Sequence, residues 1–486
     1  MTYLEAIRFL YGLEHGAVKL GLERIEAAVS ARGHPERRYA CVHVAGTNGK
    51  GSTCALLDAI LSAAGYRTGL LTSPHLLDFR ERIRISGALA GRDEIASGVA
   101  RLRPLIERLR LSFFEATTLL AFEIFAHRGV EAAVIEVGMG GRLDATNVVR
   151  PALTIVTGID FDHTQALGRS RSAIAGEKAG IVKAGVPLLI GPCPAPVRAV
   201  FAARTAEAGS ELVRRERRAA AGEIVPAARG TRYRRISMDE GQGAGEGLER
   251  RSDERQRARP GGKEKAAGEP RFIRLRGDHQ VANALLAEEA AVILAGRGFA
   301  IPPEARALGL SRACWPGRFQ VVKRAGVPLT VLDVAHNPQG GGTLVEAWKR
   351  WLPAAGTPLL VVGMLGDKDR RRFLERLRPL SGRLCLIPLD SPRAGRMEAL
   401  IAAAREAGFR PRACADIGSA FALARGAPVL VTGSFHTVEA GMRHLGMRSE
   451  ARIFPAPARA RTRPRARNAP AAGRRAASAS PRGGRP

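Results

Sequence analysis

GTNGKGST, residues 46–53, is the stretch of this sequence that decides the fold. It follows a β-rich run at 39–44 and leads into a helical pattern at 52–64, as in a strand–loop–helix unit. Glycines in such a loop let successive backbone N–H groups point at a phosphate, and the start of the helix adds its positive end. Gly51 separates Lys50 from Ser52, so the spacing is not the usual phosphate-loop spacing. A flexible glycine turn is therefore the alternative to a phosphate-binding loop.

If the stretch binds phosphate, Lys50 is placed to reach the terminal phosphates of the ligand, and a hydroxyl of Ser52 or Thr53 can face Mg²⁺. We therefore expect a phosphate-containing ligand and Mg²⁺ as a cofactor. The predicted ligand contacts in this stretch are Asn48, Gly49, Lys50, Gly51 and Ser52, and the resemblance described below implies that the ligand is ATP, a substrate.

Around this loop, from residue 39 to about 191, short β-rich runs alternate with helical stretches. That alternation is typical of βαβ units and predicts an α/β fold with a mostly parallel sheet. The predicted strands are 39–44, 67–72, 132–137, 153–157 and 186–190, and the predicted helices are 52–64, 93–109 and 115–127.

A second α/β series begins after residue 272 and predicts a smaller, Rossmann-like domain. Its predicted helices are 278–294, 341–351 and 397–407, and its predicted strands are 329–334, 359–362, 383–388 and 428–432. Between the two series, 204–271 is rich in charge, and we predict a disordered or poorly ordered insert at 241–268. Residues 448–486 are predicted to be a disordered, Arg-rich tail.

The charge of the chain raises the question of a nucleic-acid partner. Its 76 Lys+Arg against 46 Asp+Glu give a net charge of +30, and ten Arg with no acid lie in 451–486. Aromatic residues for base stacking make up only 5% of the chain, so a nucleic-acid-binding protein is the less favoured hypothesis. Weak, salt-dependent binding by the tail is the side property that this charge allows.

Other features favour an ordinary protein of a reducing compartment. The six cysteines are scattered without a C-x-x-C pair, and no apolar run of 18 residues could span a bilayer. Residues 1–14 mix acids into an amphipathic pattern unlike a signal peptide. We therefore expect a cytoplasmic protein with no membrane partner.

Further motifs follow the phosphate loop in a fixed order. They are TSPH at 72–75, ERI at 81–83, EVGMGGRLDATN at 136–147, DHT at 162–164, EKAGI at 177–181 and DVAHNP at 333–338. Together they resemble the folylpolyglutamate synthase and dihydrofolate synthase family, within the Mur ligase superfamily. The resemblance covers roughly 1–204 and 272–446. The charged insert departs from the family pattern, where a shorter segment containing strands is expected, and so does the tail.

The resemblance implies a domain plan and a reaction. Residues 1–275 would form the Mur-ligase-type ATP-binding domain with the insert at about 204–271, and 276–447 the glutamate-ligase domain. The implied reaction is ATP-dependent ligation of L-glutamate to dihydropteroate, to tetrahydrofolate polyglutamates, or to both, through an acyl phosphate. We also expect a protein that acts as a monomer.

The resemblance assigns the metal and catalytic residues. Glu136, at the end of a predicted strand, is implied to bind Mg²⁺ together with Ser73 and His163, and His163 is also implied to be catalytic with Lys50. Lys178 is implied to be carbamylated by CO₂, which turns an ammonium into an anion able to face a metal. From the residue alone, an exposed helical lysine would be the simpler interpretation of Lys178.

The remaining implied contacts fall into two groups. In the second half of the chain, the family pattern assigns ATP contacts to Asn283, Arg318, Asp333 and His336. In the first half, Ser112, Phe113, Phe114, Glu115, Leu143 and Asp144 resemble pterin-site segments of bifunctional members. A purely structural Phe pair at the start of a helix is the alternative. If the pterin assignment holds, Asp144→Ala should weaken dihydropteroate ligation more than tetrahydrofolate extension.

Three rival functions remain open. A folylpolyglutamate synthase without dihydrofolate synthase activity would carry the same motifs. A peptidoglycan-type Mur ligase, or a Mur ligase that acts on another carboxylate, would have the same type of fold. However, the 45 residues before Gly46 are too few for the separate N-terminal nucleotide-sugar domain of the peptidoglycan enzymes.

Overall fold

An eight-stranded sheet carries the phosphate loop. The computed structural model describes residues 1–13, 21–238 and 268–455. The strands of the sheet are β1 (Ala40–Ala45), β2 (Thr68–Leu71), β3 (Ile83–Ile85), β4 (Ala88–Leu89), β5 (Ala132–Glu136), β6 (Leu153–Val156), β7 (Leu188–Ile190) and β8 (Leu212–Arg214). Their order is β4-β3-β2-β5-β1-β6-β7-β8, with β3 antiparallel to both β2 and β4 and all other pairs parallel. The predicted mostly parallel α/β sheet is confirmed.

Helices cover both faces of this sheet, as a parallel sheet requires. They are α1 (Tyr3–Gly12), α2 (Glu23–Ala31), α3 (Lys50–Ala63), α4 (Arg92–Leu109), α5 (Phe113–His127), α6 (Thr164–Leu167), α7 (Arg171–Ala179), α8 (Ala195–Glu207), α9 (Asp278–Gly296) and α10 (Pro303–Arg312). Alternate residues of β1 enter different cores. Val42 and Val44 pack with α3, α9 and α10, whereas Cys41 packs with α1, α2, α4 and α5.

The charged stretch after α8 contains an antiparallel sheet that the sequence analysis did not predict. Its strands are β9 (Ala219–Ala227), β10 (Gly230–Ser237) and β11 (Glu269–Ile273), in the order β11-β10-β9. The prediction of a low-complexity insert over the whole of 204–271 was therefore wrong for these strands. The part predicted as disordered, 241–268, lies almost entirely outside the described residues, which omit 239–267.

Two buried acids explain why arginines fill this small sheet. Glu288 and Glu289 of α9 are 0% and 1% exposed. Arg271 pairs with Glu288 at 2.8 Å, and Arg235 lies 3.5 Å from Glu289. Because buried charges must be paired, the arginines hold the three-stranded sheet on α9.

The position of α9 differs from the predicted domain boundary at residue 276. Its apolar residues, such as Leu285 and Leu294, share a core with β1 and α3. Helix α10 joins the same core through Leu310. The first structural domain therefore continues to about residue 313, beyond the predicted start of the second.

The second domain is a six-stranded sheet between helices. Its strands are β12 (Gln320–Val322), β13 (Thr330–Leu332), β14 (Leu359–Val362), β15 (Leu384–Leu386), β16 (Arg412–Ala413) and β17 (Val429–Thr432), in the order β12-β13-β17-β14-β15-β16. Its helices are α11 (Pro338–Trp351), α12 (Arg370–Leu377), α13 (Met397–Glu406), α14 (Ile417–Ala422) and α15 (Phe435–His444). Only the β12–β13 pair is antiparallel. The smaller Rossmann-like domain is thus confirmed.

The beginning of the predicted disordered tail is ordered. Ile453 and Phe454 are 1% and 5% exposed and belong to the core of the first domain. The boundary of the tail at residue 448 was therefore wrong, and 456–486 lies outside the described residues. All six cysteines are free. Among the described helices, none combines the length and the apolarity that crossing a bilayer requires.

Candidate active site

The phosphate loop leaves the first backbone N–H groups of α3 without a side-chain acceptor. Gly49 stands at the N-cap position with φ 85° and makes no capping hydrogen bond. Only glycine adopts that conformation at little cost. Thr157 steadies the loop from β6 by donating its hydroxyl to the Asn48 carbonyl at 2.6 Å. The loop is thus held in a defined conformation, and the start of the helix is accessible to an anion.

Lys50 and a buried hydroxyl lie at this helix start. The Lys50 ammonium donates to the carbonyls of Gly46 and Thr47, at 3.1 and 3.3 Å. Thr53 is fully buried, and its hydroxyl has no hydrogen-bond partner among the described residues. Ser52 is buried beside it. Either hydroxyl is therefore a candidate for the predicted contact with Mg²⁺.

Glu136 and Ser73 come together as predicted. Glu136 ends β5, is 4% exposed, and accepts the Ser73 backbone N–H at 3.1 Å. Burial raises the pKa of Glu136, and the charges of Lys50 and Arg318 oppose that rise. The Glu136 carboxylate keeps further lone pairs, Ser73 carries a hydroxyl, and oxygen donors of this kind are what Mg²⁺ prefers.

The described residues hold no cluster of three or more His, Cys, Asp and Glu side chains that could bind a metal ion. Mg²⁺ usually takes one or two carboxylates and completes its shell with water and phosphate oxygens, and Glu136 with the adjacent Ser73 offers oxygen donors of that kind. The residues at Glu136 therefore fit the predicted ion.

A narrow cleft separates the two domains at this point. Its first wall includes Gly51, Ser73 and Glu136, and its second wall includes Trp315 and Arg318. The Arg318 guanidinium lies 5.3 Å from the centre of the Phe435 ring, and burial lowers its pKa. A cation from the second domain thus faces the carboxylate of the first.

Asp333 holds the backbone around Arg318. Its two oxygens accept the N–H groups of Phe319, at 2.7 Å, and Ala335, at 2.8 Å. Burial raises its pKa, and these two hydrogen bonds oppose the rise. Asp333 therefore shapes the second wall, and a nucleotide contact would have to share its oxygens.

Asn283 lies beside the phosphate loop. A Cβ atom built on Gly49 would come within 2.5 Å of the Asn283 Oδ1 atom. The Asn283 amide donates to Gln280 at 3.1 Å within α9. The predicted ATP contact is thus held at the loop by the helix start of α9.

His163 and His336 lie in a cluster of charges between the domains. Asp162 accepts a hydrogen bond from Lys368 at 2.6 Å and faces Nε2 of His336 at 3.2 Å. Burial alone would raise the Asp162 pKa, but His336 and Lys368 hold it well below its usual range. Nε2 of His163 lies 3.3 Å from the Lys368 ammonium. A metal ion on that nitrogen would have to displace Lys368, so this arrangement does not support the prediction of His163 as a ligand.

The same interface contains residues that the sequence analysis did not single out. Asn337 caps α11 by accepting the Gly340 N–H at 2.9 Å. Its amide also donates to Asn48 of the phosphate loop at 3.0 Å. Lys368 and Asn337 are more than 200 positions from their partners, so only the DVAHNP motif could have pointed to one of them.

Lys178 is buried, not exposed as the simpler interpretation required. It lies near the end of α7 and is 4% exposed. Burial lowers its pKa to about 7, the charge of Lys50 adds to the effect, and Asp162 and Asp144 oppose it. At neutral pH a large share of its amine is therefore uncharged.

Two of the predicted pterin residues cap a helix. The Ser112 hydroxyl accepts the Glu115 N–H at 3.3 Å, and the Glu115 carboxylate accepts the Ser112 N–H at 2.8 Å. This reciprocal pair is a capping box at the start of α5. Arg24 pairs with Glu115 at 3.1 Å. The two residues are accounted for without a substrate.

The two phenylalanines have different surroundings. Phe113 is 8% exposed, stacks on Tyr11 at 5.6 Å between ring centres, and carries the Arg82 guanidinium 5.0 Å from its ring centre. Phe114 is only partly buried and lies against Gly138, where a Cβ atom would approach the ring to 2.5 Å. Phe114 is thus the better candidate for a substrate wall.

The carboxylate of Asp144 accepts hydrogen bonds from residues of its own loop. Leu143, beside it in the chain, is half-buried. Asp144 accepts the N–H of Met139 at 2.9 Å, and the N–H and hydroxyl of Thr146 at 3.0 and 2.5 Å. Thr146 in turn meets the buried His43 ring at 2.8 Å. A pterin amino group would have to compete with these donors.

Comparison with known proteins matches the two domains to two families. The Mur ligase middle domain family matches residues 44–291, and the Mur ligase glutamate ligase domain family matches residues 317–435. The chain is 34% identical over 403 residues to a dihydrofolate synthase/folylpolyglutamate synthase of Bacillus subtilis, covering 81% of this chain and 86% of that protein.

Solved structures agree over nearly the whole chain. The folylpolyglutamate synthase of Mycobacterium tuberculosis, complexed with ADP and AMPPCP, is similar with a TM-score of 0.79 and 29% identity, covering 92% of this chain and 100% of that one. An FPGS–AMPPCP–folate complex is similar with a TM-score of 0.77 and 29% identity, again covering 92% and 100%.

Proposed function

The chain belongs to the dihydrofolate synthase/folylpolyglutamate synthase family of Mur ligases and is thus an ATP-dependent ligase; we propose that it joins L-glutamate to dihydropteroate and to reduced folate polyglutamates. One observation carries the proposal: the open helix start with Lys50 and the carboxylate of Glu136 face Arg318 across the cleft. The relatives' names and the ATP-analogue and folate complexes of similar proteins support it. A folylpolyglutamate synthase without the dihydropteroate activity is the second candidate.

In the proposed reaction the substrate carboxylate attacks the γ-phosphorus of ATP, and the bond to ADP breaks. The amino group of glutamate then attacks the acyl carbon of the acyl phosphate, phosphate leaves and the nitrogen loses a proton. Both steps bring anions together, so they need fixed positive charge in a dry site. Lys50 from the first domain and Arg318 from the second supply it.

Ser73, Glu136 and a hydroxyl of Ser52 or Thr53 are the residues that would hold Mg²⁺. When bound, the ion neutralises phosphate charge that would otherwise repel the attacking carboxylate. Because His163 faces Lys368, we place it at the domain interface as a positioning residue for the phosphate side. Asn283, Asp333 and His336 remain the proposed nucleotide contacts of the second wall and α9.

We further propose that Lys178 is carbamylated. Carbamate formation needs an uncharged amine, and a pKa lowered to about 7 by burial provides one at neutral pH. The product is an anion close enough to Lys50 to interact with it electrostatically. It would orient that ammonium toward the phosphates instead of toward the Gly46 carbonyl.

For the pterin ring we propose a wall formed by Phe114, with Phe113 and Leu143 behind it. Ser112, Glu115 and Asp144 then act by holding α5 and the loop after β5 in place. We also propose that the enzyme acts as a monomer in the cytoplasm, with small-molecule substrates and no functional nucleic-acid partner.

The test is to supply the purified protein with ATP, Mg²⁺ and glutamate, and to offer either dihydropteroate or a tetrahydrofolate. We expect phosphate release that requires both acid and amine, and products heavier by one glutamyl unit in mass spectra. Phosphate release without a folate-type acid, or with a different acid only, would contradict the proposed substrate class. Product from tetrahydrofolate alone would select the second candidate.

A further inference from the structure

The chain returns to the first domain after α15. We call residues 449–454 the C-terminal strap. Leu89 donates its N–H to the Ala451 carbonyl at 3.1 Å, and Ile453 donates its N–H to the Gly87 carbonyl at 3.1 Å. The strap thus meets the β3–β4 hairpin in a single antiparallel β-bridge, between Ala88 and Arg452.

The strap also binds the linker between the domains. Cys314, just after α10, donates its N–H to the Ile453 carbonyl at 2.8 Å. The next residue is Trp315, whose indole lies 3.0 Å from the position of a Cβ atom on Gly51. The strap therefore holds the linker at the point where the linker meets the phosphate loop.

Apolar side chains anchor the strap. Ile453 and Phe454 are buried, and Phe454 lies directly on Gly87. A Cβ atom at Gly87 would come within 2.7 Å of the Phe454 ring, and the φ of 75° also requires glycine there. The hairpin turn is thus shaped to receive the ring.

A buried cation needs the strap as an acceptor. The Arg84 guanidinium is 2% exposed and donates to the carbonyls of Glu450, at 3.0 Å, and Gly87, at 3.1 Å. Burial lowers the pKa of Arg84 to about 10. Arg84 also lines the cleft. The strap therefore provides a hydrogen-bond acceptor for one of the charged groups that border the active site.

The strap then reaches the loop that carries Ser73. The Ser449 hydroxyl donates to the carboxylate of Glu81. That carboxylate also accepts the N–H groups of Leu76, at 2.7 Å, and Leu77, at 3.1 Å. These amides lie three and four residues after Ser73. Glu81 therefore fixes the part of the loop that follows Ser73 in the chain.

We propose that the C-terminal strap is a positioning element of the Mg²⁺ site. Through Ser449 it orients Glu81, and Glu81 holds the loop so that Ser73 stays beside Glu136. This inference rests on the proposed function, because it takes Ser73 as a ligand of the ion. It adds a residue that follows the second domain in the chain to the proposed Mg²⁺ site of the first domain.

The decisive variant is Ser449→Ala, and its matched control is Ser311→Ala. The Ser311 hydroxyl donates only within its own helix, to Leu308 at 2.8 Å. We expect Ser449→Ala to raise the Mg²⁺ concentration for half-maximal activity about five- to tenfold, the factor expected for the loss of one typical intramolecular hydrogen bond. At saturating Mg²⁺ its kcat should stay within about twofold of wild type, and Ser311→Ala should change neither quantity.

A second readout does not depend on activity. Without Mg²⁺ or nucleotide, the amides of Leu76 and Leu77 should exchange hydrogen about tenfold faster in Ser449→Ala than in wild type or Ser311→Ala, because their acceptor is less restrained. Equal exchange rates, or an unchanged Mg²⁺ requirement in an active enzyme, would overturn the proposal. If wild type makes no glutamyl product, the proposed function fails, and the exchange rates still decide whether Ser449 holds the loop.

Truncations provide an independent check. A chain ending at residue 455 keeps the strap and should retain the wild-type Mg²⁺ requirement. A chain ending at residue 448 lacks it and should need at least as much Mg²⁺ as Ser449→Ala, with a lower Tm because Ile453 and Phe454 leave the core. Equal behaviour of the two truncated chains would refute a role for the strap.

Discussion

Helix α3 begins at Gly49 with no side-chain cap, whereas helix α5 begins at Ser112 with a capping box. Both helices lie in the first domain, and both starts were predicted to contact substrate. In α5 the side chains of Ser112 and Glu115 accept each other's backbone N–H groups at the helix start. In α3 no side chain caps the helix start.

The difference separates a binding helix start from a structural one. An isolated helix start must satisfy its free N–H groups, and a Ser or Asp side chain usually does so. A start that lacks such a side chain and lies beside Lys50 and Thr53 has N–H groups available to a bound anion. Four substitutions test this contrast.

Lys50→Ala should have the largest effect, because it removes the ammonium at the uncapped start. We expect kcat to fall about a thousandfold, as for other losses of fixed charge at a transition state. The Tm should stay within about 2 °C of wild type, since Lys50 contributes no core packing. Phosphate release and thermal unfolding measure the two quantities. Activity within about fivefold of wild type would end the assignment of this loop to phosphate.

Lys178→Ala should come second, with activity about a hundredfold lower, because it removes the proposed carbamate beside Lys50. Short carboxylic acids should restore part of the activity by replacing the lost anion. Lys349→Ala, at an exposed helical lysine, is the control and should behave as wild type.

The pKa of Lys178, lowered to about 7, gives this prediction a pH dependence. Below pH 7 the amine is mostly protonated and cannot react with CO₂, and above pH 7 it is mostly neutral. In ¹³CO₂-equilibrated wild type, the carbamate NMR signal should therefore grow between pH 6 and pH 8. No carbamate signal across this range would refute the modification.

Asp144→Ala should have an effect of intermediate size, and we expect it mainly on the stability of the fold. It removes the acceptor for Met139 and Thr146, which should lower the free energy of unfolding by about 1–3 kcal/mol. Because these contacts shape the loop for any substrate, we expect ligation of dihydropteroate and of tetrahydrofolate to fall by the same factor. A selective loss of dihydropteroate ligation would instead support the pterin contact expected from the motif.

Ser112→Ala should have the smallest effect and the clearest contrast with Lys50→Ala. Loss of an N-cap costs about 0.5–2 kcal/mol of stability, and kcat/KM for either folate should change less than twofold. Urea unfolding checks the first expectation and initial rates check the second. Ser112→Asp, which keeps a cap, should preserve stability. A large loss of activity in Ser112→Ala would show that the capped start also binds substrate.

Much of the fold followed from the sequence because its buried strands are apolar and short. The central strands were predicted to within one or two residues of their observed ends, since a parallel sheet buries both faces of a strand. Strand β10 was missed because arginines dominate it. The two-residue alternation of a strand was nevertheless present in its sequence. Thr231 and Tyr233 are buried and alternate with the exposed Arg232 and Arg234.

The site was predictable where each partner lies in a motif of the family. The loop at 46–53 and the TSPH and EVGMGG segments contain Lys50, Ser73 and Glu136, and the resemblance implied that these residues share one site. The S-x-x-E pattern at Ser112 and Glu115 also carried the signal of a capping box, which the pterin interpretation passed over. Contacts such as Lys368 with Asp162 join two domains and leave no pattern in a single sequence.

The pairing of the strap with the β3–β4 hairpin also sets an order of events during synthesis. Arg84 precedes Glu450 by 366 residues, so at roughly 5–20 residues per second a ribosome makes the hairpin about 20–70 s before the strap. Until then the Arg84 guanidinium lacks one acceptor, and Gly87 has no ring packed on it. The first domain is therefore completed only after the second has been translated. On stalled ribosomes, nascent chains that end before residue 449 should be cut at the hairpin by protease faster than released chains.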